Sequence, residues 1–249
     1  LTRTIRLFHF ASPARFYTLA SRCLPALWLL AVVLAIAALY IGFFVAPTDA
    51  TQGDAYRIIF IHVPAAWMSM VLYLAMAFWA AIGWGLNAKL ASMFARAIAP
   101  TGALFTFLAL WTGAFWGRPT WGTWWVWDAR LTSELILLFL YLGYLALVDA
   151  IDDVRRADRA GALLAVVGSV NVPIIYFSVK WWNTLHQGAT ITLSSAPTMA
   201  QSMLIAMLLM TLAFWAYAFA IVFKRTLAIV AEREGHAQWL VGKTTMSAA

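Results

Sequence analysis

Six apolar runs, each long enough for the ~20 residues that a helix needs to cross a bilayer, take up most of this 249-residue chain. They lie at roughly 24–46, 58–84, 97–116, 131–149, 160–180 and 198–223, and four of them contain no Asp, Glu, Lys or Arg. In hydrocarbon every backbone N–H and C=O must be paired within the protein, which leaves helices and closed barrels as spanning structures. Barrel strands alternate apolar and polar side chains, whereas these runs are apolar all round. An all-α fold is therefore expected: a polytopic membrane protein with six transmembrane helices, forming one integral domain over 1–249. An apolar share of 64% and a charged share of 11% fit no ordinary soluble domain. The first run follows a long basic lead-in and is too long for a signal-peptide core, so it reads as a retained span.

The net charge of +7 is explained by topology rather than by nucleic acid. With the N-terminus inside, thirteen basic residues fall on the cytoplasmic side: Arg3, Arg6, Arg15 and Arg22; Lys89 and Arg96; Arg155, Arg156 and Arg159; Lys224, Arg225, Arg233 and Lys243. Four fall outside: Arg57, Arg118, Arg130 and Lys180. The positive-inside rule thus places both termini in the cytoplasm. In the lead-in, Ile5, Phe8, Phe16 and Tyr17 alternate with arginines, as in a segment resting on anionic membrane lipids. Cys23 is the only cysteine, which excludes an internal disulfide and a C-x-x-C-H haem-attachment site. It reads as packing.

This orientation gathers the distinctive residues on the outer side. One outer loop, at about 116–130, holds Trp116, Trp121, Trp124, Trp125 and Trp127, five of the chain's fourteen tryptophans. Tryptophan commonly belts a membrane interface, yet a belt needs only one or two rings per helix end. So dense a cluster reads as a platform for a large flat ligand, on which indoles can stack. If the stretch is helical, Trp121, Trp124 and Trp125 share one side. Gly117, Pro119 and Gly122 permit tight turns there.

Two histidines flank this loop. His62 stands at the head of the second run and His186 in the third outer loop, while His9 and His236 fall inside and read as surface residues. A packing histidine beside Pro64 and a solvated loop histidine are the plain readings of His62 and His186 taken singly. As a pair beside the tryptophans they point to axial ligation of haem iron. Zinc fits less well, because it usually takes four ligands. Each outer cation is read either as snorkelling to lipid phosphate or as pairing with ligand carboxylates. Arg57 and Arg130 are the candidates for the second role. Asp128 can cap the fourth helix, anchor Arg130 or hold an indole N–H, and Glu134 is expected to pair locally. Asn171 and Pro173 are expected to loosen the fifth span. There is no Walker motif, no G-x-S-x-G elbow and no triad spacing, so no enzyme activity is expected.

The segment Trp121-Gly122-Thr123-Trp124-Trp125-Val126-Trp127-Asp128-Ala129-Arg130-Leu131-Thr132-Ser133 closely resembles the WWD signature of bacterial haem-handling proteins in cytochrome c biogenesis. The loop Trp181-Trp182-Asn183-Thr184-Leu185-His186-Gln187-Gly188 resembles that of the haem-exporter C (CcmC) type, as do the span number and length along the whole chain. The resemblance implies a bacterial inner-membrane protein that holds haem b non-covalently at the periplasmic face. His62 and His186 would be its axial ligands and the tryptophan loop its platform. Haem would pass to the membrane-anchored chaperone CcmE. An ABC transporter of CcmA and CcmB, with the single-span CcmD, would work alongside and use the ATP. A small-molecule permease and a purely structural subunit of a membrane complex are the alternatives from other classes.

Overall fold

The computed structural model describes residues 12–182, 184–186, 197–235, 237 and 239. His9 and His236 lie outside the described residues. Those described form seven α-helices and no strand: α1 (Pro13–Tyr40), α2 (Ile59–Leu86), α3 (Lys89–Trp121), α4 (Ala129–Asp149), α5 (Val154–Gly168), α6 (Asn171–Trp181) and α7 (Gln201–Arg233). A wider, π-helical turn at Ile41–Val45 extends α1, and a 3₁₀ turn at Asp54–Ile58 leads into α2. Because α5 and α6 follow end to end, six stretches remain that are long and apolar enough to cross a membrane. The expected architecture is met, with α3 running further at both ends than its apolar core.

Helices α2 and α3 form the central antiparallel hairpin, turned by Asn87 in the left-handed conformation (φ 50°). Small residues such as Ala77, Ala80, Ala95 and Ala99 are buried in the core and let helices approach closely, the usual device where no water drives association. Helix α1 packs on α7 at the rim. Leu29, Val33, Ile36 and Phe44 stay exposed on it, as befits a lipid-facing surface. Helices α4, α5 and α6 close the other flank. The break in the fifth span falls at Ser169 and Val170, just before Asn171 and Pro173. Proline is tolerated in a first turn, where its missing N–H has no helical partner, and Asn171 Nδ2 donates to Ser133 O at 2.9 Å.

Glu134 reaches beyond the local pairing expected. Besides the charge of Arg130 one turn away, it has a distant hydrogen-bond partner, Ser69 on α2, whose Oγ donates to Glu134 Oε1 at 2.7 Å. Tyr141 donates to Ser69 O at 2.8 Å, so a buried polar strut joins α2 to α4. A carboxyl at this depth must be hydrogen-bonded to be tolerated. Ion pairs tie the opposite end of the bundle: Arg96 to Asp149 at 2.7 Å, and Arg233 to Asp158 through two bonds of 2.9 and 3.0 Å. Among the described residues, His62, His186 and the clustered tryptophans thus sit at one end, and most of the basic charge at the other.

Candidate functional site

Helix α3 does not stop at Trp116 but continues to Trp121, so Trp116 and Trp121 project from a helix rather than a loop. Gly122, at φ 77°, ends it in a left-handed turn that favours glycine, and Arg118 donates to Gly122 O at 2.6 Å. Residues 122–128 are not helical. Trp121, Trp124 and Trp125 therefore share no helical face, although Trp121 and Trp125 both reach one cleft. Trp124 instead meets Phe115 edge-on at 5.3 Å, and Trp127, 77% exposed, meets Trp125 edge-on at 5.4 Å.

Below this turn lies a narrow cleft of about 60 Å³, smaller than the roughly 300–1,000 Å³ usual for small-ligand pockets. Its wall includes His62, His186, Trp116, Trp121, Trp125 and Arg130. His62 is in the first turn of α2 and is 7% exposed. Its Nδ1 lies 3.0 Å from Thr112 Oγ1, and that hydroxyl donates to Leu108 O at 2.6 Å. A threonine hydroxyl has one proton. Where that proton is spent on Leu108, Oγ1 accepts a hydrogen from Nδ1, and Nε2 then presents its lone pair. This is how second-sphere bonds orient a metal-binding imidazole. Trp116 stands edge-on to the His62 ring at 5.6 Å. A Cβ at Gly113 would lie 3.0 Å from His62 Cε1, so the absence of a side chain there makes room for the ring.

His186 follows α6 and brings its ring to 6.2 Å from that of His62, with the planes inclined by 32°. Trp121 meets His186 edge-on at 6.0 Å. The histidine loop is tied down through Asp128, which does two jobs at once. Its Oδ1 accepts from Leu131 N at 2.8 Å, capping α4, and its Oδ2 accepts from the Thr184 hydroxyl. Thr184 Oγ1 in turn accepts from His186 N at 3.1 Å. One carboxylate thus couples the tryptophan turn to the second histidine.

The outer cations separate. Arg130 lines the cleft, with Nη1 donating to Ile175 O at 3.0 Å. Arg57 does not line it. Its guanidinium bonds Asp54 Oδ1 at 2.9 Å and the carbonyls of Gly42 and Ala46 at 2.7 and 3.1 Å, satisfying groups freed where α1 ends. Trp124, Trp127 and Asp128 likewise lie outside the wall. Two further wall residues carry no site signal in the sequence. Glu134 reads there only as a residue that pairs locally. Gln52, whose Oε1 accepts from Trp116 Nε1 at 2.7 Å, looked like any polar loop side chain.

The heme exporter protein C family matches residues 6–241. Heme exporter protein C of Escherichia coli K12 is 53% identical over 184 residues, covering 74% of this chain and 75% of that protein. The Bradyrhizobium diazoefficiens protein of the same description is 50% identical over 214 residues, covering 84% and 79%. A putative cytochrome c biosynthesis ccmC-like mitochondrial protein of Marchantia polymorpha is 50% identical over 155 residues, covering 62% and 65%. The chain belongs to the heme exporter protein C family of cytochrome c biogenesis.

Proposed function

We propose that this multi-pass protein of the bacterial inner membrane acts as a carrier: it holds one haem b between His62 and His186 at its periplasmic face and delivers it to the membrane-anchored chaperone CcmE. The observation that carries this reading is the 6.2 Å spacing of the two imidazoles across a cleft. A metal–imidazole bond is about 2.0–2.1 Å, and the ring centre lies roughly 1 Å further, so two rings on one iron stand roughly 6 Å apart. With Thr112 accepting from Nδ1, His62 Nε2 is available in the tautomer that iron needs. Trp121 and Trp125 supply apolar surface to a porphyrin, and Arg130 supplies a cation to its propionates. CcmA, CcmB and CcmD are the expected neighbours, the first hydrolysing ATP that this chain has no Walker motif to use.

Delivery demands that two iron–nitrogen bonds break while the acceptor forms its own. The exposed indoles of Trp124 and Trp127 are placed to touch an acceptor while the cleft still holds the ligand. An aromatic contact contributes about 0.5–1.5 kcal/mol beyond its area. Trp124→Ala and Trp127→Ala are therefore expected to retain haem on this protein but to lower covalent haem on the chaperone, both measured in the same membranes. Normal loading of the chaperone by both variants would reduce these rings to an interfacial belt.

A further inference from the structure

The turn before α2 is more elaborate than a connection requires. Asp49 Oδ1 accepts from the backbone N–H groups of Thr51 and Gln52 at 2.9 and 2.8 Å, and Gly53 N donates back to Asp49 O at 3.0 Å. Gly53, at φ 60°, completes the turn, whose root is held by the Arg57 bonds to Gly42 and Ala46. The outcome is a fixed position for one side chain, Gln52, on the cleft wall. An indole N–H can only donate. The bond from Trp116 Nε1 therefore settles the amide: Oε1 faces Trp116, and Nε2 points elsewhere. That Nε2 has no hydrogen-bond partner among the described residues and is not fully buried. A half-buried amide, oriented by a bond that uses only its acceptor, keeps its two N–H groups for a ligand.

Resting on the haem reading above, we propose that Gln52 is a specificity-determining residue whose amide Nε2 donates to an anionic carboxylate of the bound porphyrin. Arg130, the cation on the same wall, serves a carboxylate as a charge. Gln52 does so as a neutral donor, with no ion to desolvate.

The test compares haem with its dimethyl ester, in which both carboxylates are blocked, titrated into the purified chain and followed by Soret absorbance. Gln52→Glu keeps an acceptor for Trp116 but replaces the donor with an anion. It is expected to weaken binding of free-acid haem by about tenfold or more, leaving ester binding and the Soret position unchanged. The preference of the unaltered protein for the free acid would thereby shrink or vanish. Gln52→Ala, which also frees Trp116, should lose the same preference, and thermal unfolding of both variants reports whether the fold survives. An undiminished free-acid preference in Gln52→Glu overturns the assignment, as does an unaltered protein that binds acid and ester alike. Absence of haem binding in the unaltered protein would instead remove the haem reading itself.

Discussion

His62 shows how much chemistry rests on one neighbouring hydroxyl. The Thr112 contact orients the ring and, with the hydroxyl proton on Leu108, favours the tautomer that carries its hydrogen on Nδ1. Thr112→Val keeps the shape and removes the acceptor, so His62 is freed to rotate and to carry its hydrogen on either nitrogen. Haem affinity is expected to fall about 10–100-fold, as second-sphere changes at metal sites commonly cause, with low-spin character partly lost in the visible spectrum. Unchanged affinity and bands would show that ring packing alone orients His62. At this scale the sequence was legible where a residue type is rare in its setting. Histidine is costly at the head of an apolar run, so His62 stood out. Gln52 did not, because glutamine in a polar loop is commonplace and its role arises only from the Asp49 turn and the Trp116 bond. Arg57 was open to two readings for the same reason. An outer arginine suits a ligand carboxylate as well as it suits stranded carbonyls, and only the end of α1 decides which it meets.

Elements were read well in their cores and less well at their ends. Apolar runs located every span, since hydrocarbon imposes its requirement over the whole length. The run beyond Trp116 was taken for loop because Gly117 and Pro119 look like breakers. Both are accommodated near the end of α3, which stops only where Gly122 turns left-handed. The connection between α3 and α4 depends on Asp128, which is at once helix cap and anchor of the histidine loop. Asp128→Ala removes a cap whose loss typically costs about 0.5–2 kcal/mol, and it also releases Thr184. The expected outcome is a modest drop in unfolding temperature together with weakened ligation by His186, whereas Asp128→Asn, whose single amide oxygen can still accept at one of the two positions, should suffer less. Equal spectra in the Ala variant and the unaltered protein would show that the histidine loop is held by other contacts.

For the molecule as a whole, the site and the basic charge stand at opposite ends of the bundle, and this polarity gives the fold its direction in the membrane. Arg96 and Arg233 are spent on ion pairs at the far end from the cleft, where the positive-inside rule calls for cytoplasm. In a Cys23→Ala background, a cysteine at Thr123 should react with an impermeant thiol reagent from the periplasmic side, and one at Arg155 only after the inner face is opened. The reverse pattern would put the cleft in the cytoplasm and remove the proposed delivery. What the cleft holds is tested most directly by the visible spectrum of the purified chain with haem added. A low-spin spectrum is expected, with His62→Ala and His186→Ala each shifting the Soret and Q bands and lowering occupancy, and imidazole partly restoring either variant. Spectra unchanged in both variants would contradict ligation by these two histidines and, with it, the assignment of the cleft.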